Sequence, residues 1–307
     1  MLNNEFLKFH PAANLTYFVL GIAAVCYVNN PVLFIFALTV LILCNIILDG
    51  AKSLKSKLIF YIVIALGISL LNPLFSHRGQ IILFYMFGNP ITLESIAYGV
   101  KSGLSLMSVL IMFGMFNIII NPDKFLYLFS RFAKQTAFVI MLGLRFIPTL
   151  SRRITEISQV NTTGNNNKSG AKLKLKQKIN NAMNTLMTLI IWSLEDAVVT
   201  AQSMRSRGYG VKTADNINIE RTFYFAYKFK RRDALFIFIN ILIFALFLLT
   251  NTNYQIYPTF TGNIMDFADY KFSANLLFLI LLLAMPVIVQ IINYIKWSFI
   301  YNADNRV

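Results

Sequence analysis

"VLFIFALTVLILCNIIL", Val32 to Leu48, runs for 17 residues without a charged side chain. A stretch of that length and composition is what a helix needs to cross the hydrocarbon core of a bilayer. Five more runs of the same character lie along the chain: Ala12 to Val28, Leu58 to Phe75, Gly103 to Ile120, Ala234 to Thr250 and Ala274 to Ile295. Unpaired backbone groups are so costly in lipid that long continuous apolar runs fold as helices, whereas barrel strands are shorter and alternate. The expected fold class is therefore all-α, a polytopic helical membrane protein. The whole composition agrees: of 307 residues, 57% are hydrophobic and 13% charged, about half the charge of an ordinary soluble domain.

The formal charge of +15 would by itself allow a nucleic-acid partner, so the placement of the charge decides. Of the 28 Lys and Arg, 19 fall between Pro122 and Asp233, against 7 acidic residues there. Orientation follows from the basic residues beside the spans. Lys52, Lys55 and Lys57 follow the second span, Lys228, Lys230, Arg231 and Arg232 precede the fifth, and Lys296 follows the last. All three clusters share one face if both termini lie inside, which puts the protein in the cell membrane, N-in and C-in. The chain then divides into N-terminal transmembrane helices (1–121), a basic cytoplasmic region (122–233) and C-terminal transmembrane helices (234–307). Lipid bilayer is an expected partner and nucleic acid is not.

Between the spans, "QIILFYMFGNPITLESIAYG" has an apolar run too short to cross and a Gly88-Asn89-Pro90 turn signal, so it reads as an outer-face hairpin or a re-entrant piece. Thr92 and Ser95 equally suit the start of the following helix. In "NPDKFLYLFSRFAK", Asn121 stands as an N-cap and Pro122 at the first helical position. Phe125, Leu128, Phe129 and Phe132 form one greasy face, which predicts a helix on the membrane surface. "FVIMLGLRFIPTL" is apolar but interrupted by Arg145 and Pro148, and is expected to be partly embedded among other helices. The polar stretch "SRRITEISQVNTTGNNNKSGAKLKLKQK" reads as a loop, and its Asn161-Thr162-Thr163 as a chance match to a glycosylation acceptor. From about Lys178 a long helix follows, with Ala182, Leu186, Leu189, Ile190, Leu194, Ala197, Ala201 and Met204 at three-four spacing. The small and flexible residues of that stripe suit close packing on another helix, and Gly208 is the expected stop.

Catalytic chemistry finds little support. The chain has no Gly-Lys dipeptide and so no phosphate loop of that type. His10 and His77 fall near opposite faces without ligand-spaced partners, and Cys26 and Cys44 sit inside apolar runs. Glu195 and Asp196 are adjacent and point about 100° apart on a helix, so a solvated face or a salt bridge is their expected role. The spans hold almost no ionisable residue, which weakens an ion-coupled carrier but leaves a stand-alone channel or carrier as an alternative. No cofactor and no metal are expected. A membrane anchor whose basic block binds anionic lipid or nucleic acid is the second alternative.

What remains is the end of the long helix. Arg205 and Arg207 offset the negative end of the helix dipole, and a planar guanidinium on a rigid tip also suits a carboxylate or a carbonyl-lined groove on another protein.

Here "LEDAVVTAQSMRSRGYG" resembles the signature of a known family, the transmembrane T component of energy-coupling factor (ECF) transporters, also called CbiQ-like permeases. Glu195, Ala197, Ala201, Met204, Arg207, Gly208 and Tyr209 match its pattern, and Ser206 stands where an alanine is usual. "GLRFIPTLSRRITEI", Gly143 to Ile157, is similar to the family's Leu-Arg-Phe-x-Pro stretch, with Arg145 and Pro148 in place. The resemblance implies a non-catalytic scaffold whose amphipathic cytoplasmic coupling helices dock on two ABC-type ATPase subunits. The same helices hold a small membrane-embedded substrate-binding S component that carries a vitamin or a metal ion. By this carry-over Arg207 enters the ATPase groove, Gly208 turns the chain away, and Arg205, Tyr209 and Met204 support the contact. The family's second Ala-Arg-Gly motif is missing where the chain reads "ISQVNTTGNNN"; either Arg152 or Arg153 replaces it from another register, or one ATPase contact is weaker.

Overall fold

The computed structural model describes residues 5–76, 79–86, 89–130, 132–164, 175–209, 227–250 and 270–304. His77, Gly88 and the most polar block, 165–174, lie outside the described residues. The chain forms two compact units, one made of Met1–Phe125 with Tyr227–Val307, the other of Leu126–Ala226.

The first unit begins with a 3-10 turn, Glu5–Lys8, and α1, Pro11–Tyr27. Pro11 starts the helix where its missing N–H costs nothing, and His10 Nδ1 accepts the Ala12 N–H as a cap. α2, Pro31–Asp49, starts in the same way, with Asn30 Oδ1 accepting from Val32. α3 (Ala51–Phe75) and α4 (Leu93–Ile119) pack with their backbones close together. A Cβ added at Gly99 would stand 2.5 Å from the Ser69 carbonyl oxygen, and one at Gly103 2.6 Å from that of Ala65. Small residues four apart open this approach, as lipid-embedded helix pairs require. On α3, Ile59, Phe60, Val63, Leu66 and Leu70 are exposed at helical spacing, a face suited to lipid.

Between α3 and α4, β1 (Ile82–Met86) and β2 (Asn89–Thr92) pair antiparallel, with Ile82 opposite Thr92 and Met86 opposite Asn89. The hairpin reading and the helix-start reading both hold, because Thr92 ends the hairpin and caps α4 by accepting the Ser95 N–H. Buried Glu94 accepts the Gln80 and Ile81 N–H groups at 3.1 and 3.2 Å and ties the hairpin's root to the helix.

α8, Arg231–Leu249, runs as one helix, whereas the last apolar run is broken into α9, Tyr270–Leu283, and α10, Met285–Asp304, bent by 64°. Pro286 brings no N–H for the preceding turn, and Val287 donates to Ala284 instead of Leu283. The Leu283 carbonyl so released accepts from the Tyr17 hydroxyl at 3.0 Å and the Cys44 thiol at 3.5 Å. Tyr17, Phe34, Leu41, Met115, Phe247 and Leu279 fill the core around this point.

The chain passes to the second unit through α5, Pro122–Ser130, whose Asn121 carbonyl accepts the Phe125 N–H. Phe125, Phe129 and Phe132 are exposed, while Lys124 and Leu126 are buried. α6 then runs from Lys134 to Gly164 and α7 from Leu175 to Ser206. Here the expected loop is corrected, since residues 151–164 are helical and α7 begins before Lys178. The stretch is polar yet helical in its spacing, with Arg153 and Ile157 turned inward and an Arg152–Glu156 pair four residues apart at 3.1 Å.

The packing of α7 is corrected too. Of the stripe assigned to close helix packing, Leu186, Ile190 and Leu194 are 49%, 54% and 64% exposed, and Ala182, Ala197 and Ala201 are exposed as well. Thr185, Leu189, Ser193, Asp196, Thr200 and Met204 are the buried or half-buried face. Five described helices are long and apolar enough to cross a membrane, α2, α3 from Leu54, α4, α7 from Ile179 and α8, and the bent pair α9–α10 makes a possible sixth. α1, with 17 residues, is shorter. The protein is a multi-pass helical membrane protein.

Two predictions test this unit. Gly99→Leu or Gly103→Leu forces α3 from α4 and lowers stability by about 1–3 kcal/mol, whereas Gly67→Leu, with open space around it, leaves it unchanged; unfolding in mild detergent reads the difference. Burial holds the His10 pKa below its ordinary 6.5, against the opposing pull of Asp233. The unfolded chain therefore takes up this proton first, so His10 contributes stability above about pH 6.5 that is lost as pH falls through the lowered value. Melting temperature across that range drops in the native protein, and by less in His10→Asn, which keeps a capping oxygen but does not titrate.

Candidate functional site

The C-terminal tip of α7 is shaped by its backbone. The Tyr209 N–H bonds the Met204 carbonyl at 3.0 Å and the Gly208 N–H bonds the Arg205 carbonyl at 3.0 Å, while Gly208 takes φ +81°. These two bonds, six-to-one and five-to-two, are the Schellman closure that glycine permits at little cost. Nothing lies within 4 Å of where a Gly208 Cβ would stand, so the glycine answers to conformation and not to space. The helix thus stops where the sequence places its end.

The turn sends Tyr209 back onto α6. Its ring stacks on Phe138 with centroids 4.9 Å apart and planes 21° apart. A second tie lies deeper, where Arg153 Nη1 meets Asp196 Oδ2 at 2.5 Å. Position 138 faces 209 and position 153 faces 196, so α6 and α7 run antiparallel. Together these ties fix the direction in which the tip of α7 points.

Arg205 and Arg207 are exposed, and no described residue forms an ion pair or side-chain hydrogen bond with either. Both cations sit at the negative end of the helix dipole, which favours them there. Met204 is half-buried beneath them. Glu195, Ala197 and Ala201 lie exposed further back on α7, and Arg145 and Pro148 are exposed on α6. The tip therefore gathers Met204, Arg205, Arg207, Gly208 and Tyr209, and leaves the α6 residues apart. Asp196, the partner of Arg153, is eleven residues before Arg207, roughly 16 Å along the helix axis. Arg153 is engaged within the hairpin, and Arg152 is exposed and paired with Glu156 on its own helix.

Asp196 forms a salt bridge, one of the two roles expected of it, while sequence reasoning missed its place on the half-buried face of α7 and missed Phe138. The signal for Asp196 was its place at helical spacing with Thr185, Leu189, Ser193 and Thr200. Nothing local marks Phe138, because its stacking depends on the turn at Gly208. Among the described residues no group of three or more His, Cys, Asp or Glu is placed to hold a metal ion. Cys26 and Cys44 are both free thiols, exposed and buried respectively.

A family model described as CbiQ, cobalt transport protein, matches residues 8–216, about two thirds of the chain, and so takes in the first four helices, both hairpin helices and the arginine-bearing tip. No curated protein matches the chain. With a helical membrane unit, a long antiparallel hairpin and that match over most of its length, the chain belongs to the CbiQ family, the membrane T components of energy-coupling factor transporters.

Proposed function

We propose that this chain is the coupling subunit of an ECF-type importer, passing motion from two cytoplasmic ABC-type ATPase subunits to a small membrane-embedded S component that carries a vitamin or a metal ion. The observation that carries this reading is the pair of exposed guanidiniums, Arg205 and Arg207, on a helix end closed by Gly208 and braced by Tyr209 on Phe138. Binding energy spent on a floppy arm is lost to ordering it, whereas a stiff arm delivers its charge already oriented. Arg207 enters a groove on one ATPase and Arg205 supports it. Gly208 lets the chain leave the groove, and Tyr209 with Met204 keeps the end from fraying.

ATP binding and hydrolysis belong to the partner subunits, and this chain supplies no reacting group. The division into 1–121, 122–233 and 234–307 is then functional as well, the middle region facing the cytoplasm with both termini on the same side. The exposed apolar stripe of α7, from Ala182 to Ala201, is the surface for the S component and for lipid. The Arg153–Asp196 pair keeps the two hairpin helices in register under load. Arg152, exposed and paired with Glu156 on its own helix, would exchange that pair for the second ATPase contact where the family's other Ala-Arg-Gly motif is missing.

Purification from membranes in mild detergent tests the partners: two nucleotide-binding chains and a small membrane protein accompany this chain, and its recovery as a lone protein that conducts substrate after reconstitution overturns the reading. Arg207→Glu places like charges together in a desolvated groove, which costs about 2–5 kcal/mol and lowers ATP-driven uptake at least about 30-fold. Lys176→Glu, also exposed on α7 but at its other end, leaves uptake unchanged. A double-mutant cycle of Arg153→Ala and Asp196→Ala, read by thermal unfolding, gives a coupling of about 0.5–1 kcal/mol for this partly exposed pair.

A further inference from the structure

The segment from Phe6 to His10 precedes α1, and it meets the rest of the membrane unit at two places far apart in sequence. From α5, buried Lys124 donates to the Leu7 carbonyl at 2.7 Å and to the Ile119 carbonyl, at the end of α4, at 3.1 Å. From the start of α8, Arg232 Nη2 donates to the Lys8 carbonyl at 3.3 Å while its guanidinium lies 5.3 Å from the Phe9 ring centroid. Asp233, 1% exposed, accepts the His10 N–H at 3.3 Å and the Lys230 N–H at 2.9 Å. Phe6 and Phe9 seal the arrangement against Phe236, with centroids 5.8 and 5.0 Å away.

These two places are where the polypeptide leaves the membrane unit, at Phe125, and where it returns, at Tyr227. The intervening 101 residues, 126–226, contain the whole coupling hairpin. The contacts of this short segment therefore span the two roots of the arm.

Lys124 is an expensive choice for a packing residue. Its ammonium is buried against carbonyl oxygens, with no carboxylate at hydrogen-bonding distance among the described residues, and burial lowers its pKa. An apolar side chain of the same length would fill the space without desolvating a charge. What the lysine adds is a directional link between two backbone segments, the 3-10 turn and the end of α4.

We infer that residues 6–10 form a strap that holds both roots of the hairpin to the membrane helices, with Lys124, Arg232 and Asp233 as positioning residues for coupling. This rests on the coupling role proposed above. Force arriving at the tip of α7 moves α1, α4 and α8 together only if the two roots do not slip separately. With the strap cut, the hairpin still binds its partners but spends its travel in local give at its base.

Reconstituted complexes with Lys124→Met, Lys124→Arg and Arg232→Met test this. In both Met variants subunit composition is unchanged and ATP hydrolysis persists, but uptake per ATP hydrolysed falls by about tenfold, in the range that coupling residues command; Lys124→Arg retains most of it. Arg232 is exposed, so its variant carries the test if Lys124→Met does not fold. Amide exchange at residues 6–10, measured on the same preparations, speeds by about tenfold in the Met variants if the segment is tied as described. Unchanged uptake per ATP in the Met variants overturns the strap's role in coupling. Unchanged exchange overturns the strap itself. A native complex that shows the exchange behaviour but no ATP-driven uptake overturns the importer reading and leaves the strap standing.

Discussion

A peptide carbonyl inside hydrocarbon must find its donor within the protein, and most of this membrane unit can be read as the consequence. Helices answer the demand for nearly every residue, so the informative places are those where a helix stops. At the break between α9 and α10 the Leu283 carbonyl is satisfied by Tyr17 from α1 and Cys44 from α2, so the bend also pins three helices to one point. At the end of α4 the Ile119 carbonyl is met by Lys124. The β1–β2 hairpin is held by the opposite device, an acceptor, with Glu94 collecting two N–H groups. In each case a side chain from one element completes the backbone of another.

The second unit reverses the usual distribution of polarity. Its helices meet through a stripe that mixes Thr185, Ser193, Asp196 and Thr200 with Leu189 and Ile157, while Leu186, Ile190, Ile191 and Leu194 face outward. Specific polar contacts, above all Arg153 with Asp196, set which faces meet, and the aromatic stack of Tyr209 on Phe138 sets how far one helix runs past the other. An arm built like this is stiff along its length but presents an adhesive flank. Both properties suit the coupling role proposed for it.

Much of this was legible in the sequence, and what was not has identifiable causes. Apolar runs located α1, α2, α3, α4 and α8 because a bilayer imposes a length, and glycine located the end of α7 because only a left-handed residue closes that turn. The 151–164 stretch was misread as loop since polarity was weighed above spacing, although Arg153 and Ile157 already stood four apart. The outward stripe of α7 was read as packing because apolarity does not distinguish a protein neighbour from a lipid or a partner. Nothing near Lys124 in the sequence marks it as buried, because its burial depends on backbone from Leu7, more than a hundred residues away. At the tip, Arg205, Arg207 and Gly208 were within reach of local reasoning, whereas Phe138 was not, because no local pattern announces a stack made across a turn.

The composition of α7 also bears on how the chain is made. By length and apolarity alone it qualifies for insertion across the bilayer. Yet it is bracketed by lysines at 174, 176 and 178 and by Arg205 and Arg207, so a crossing would drag one cluster to the face where cations are disfavoured. If 122–233 lies in the cytoplasm as proposed above, basic flanks at both ends would act as a biosynthetic brake, keeping a helix greasy enough for lipid from being threaded through it. The same arginines that finish the arm would keep it on the side where it is needed.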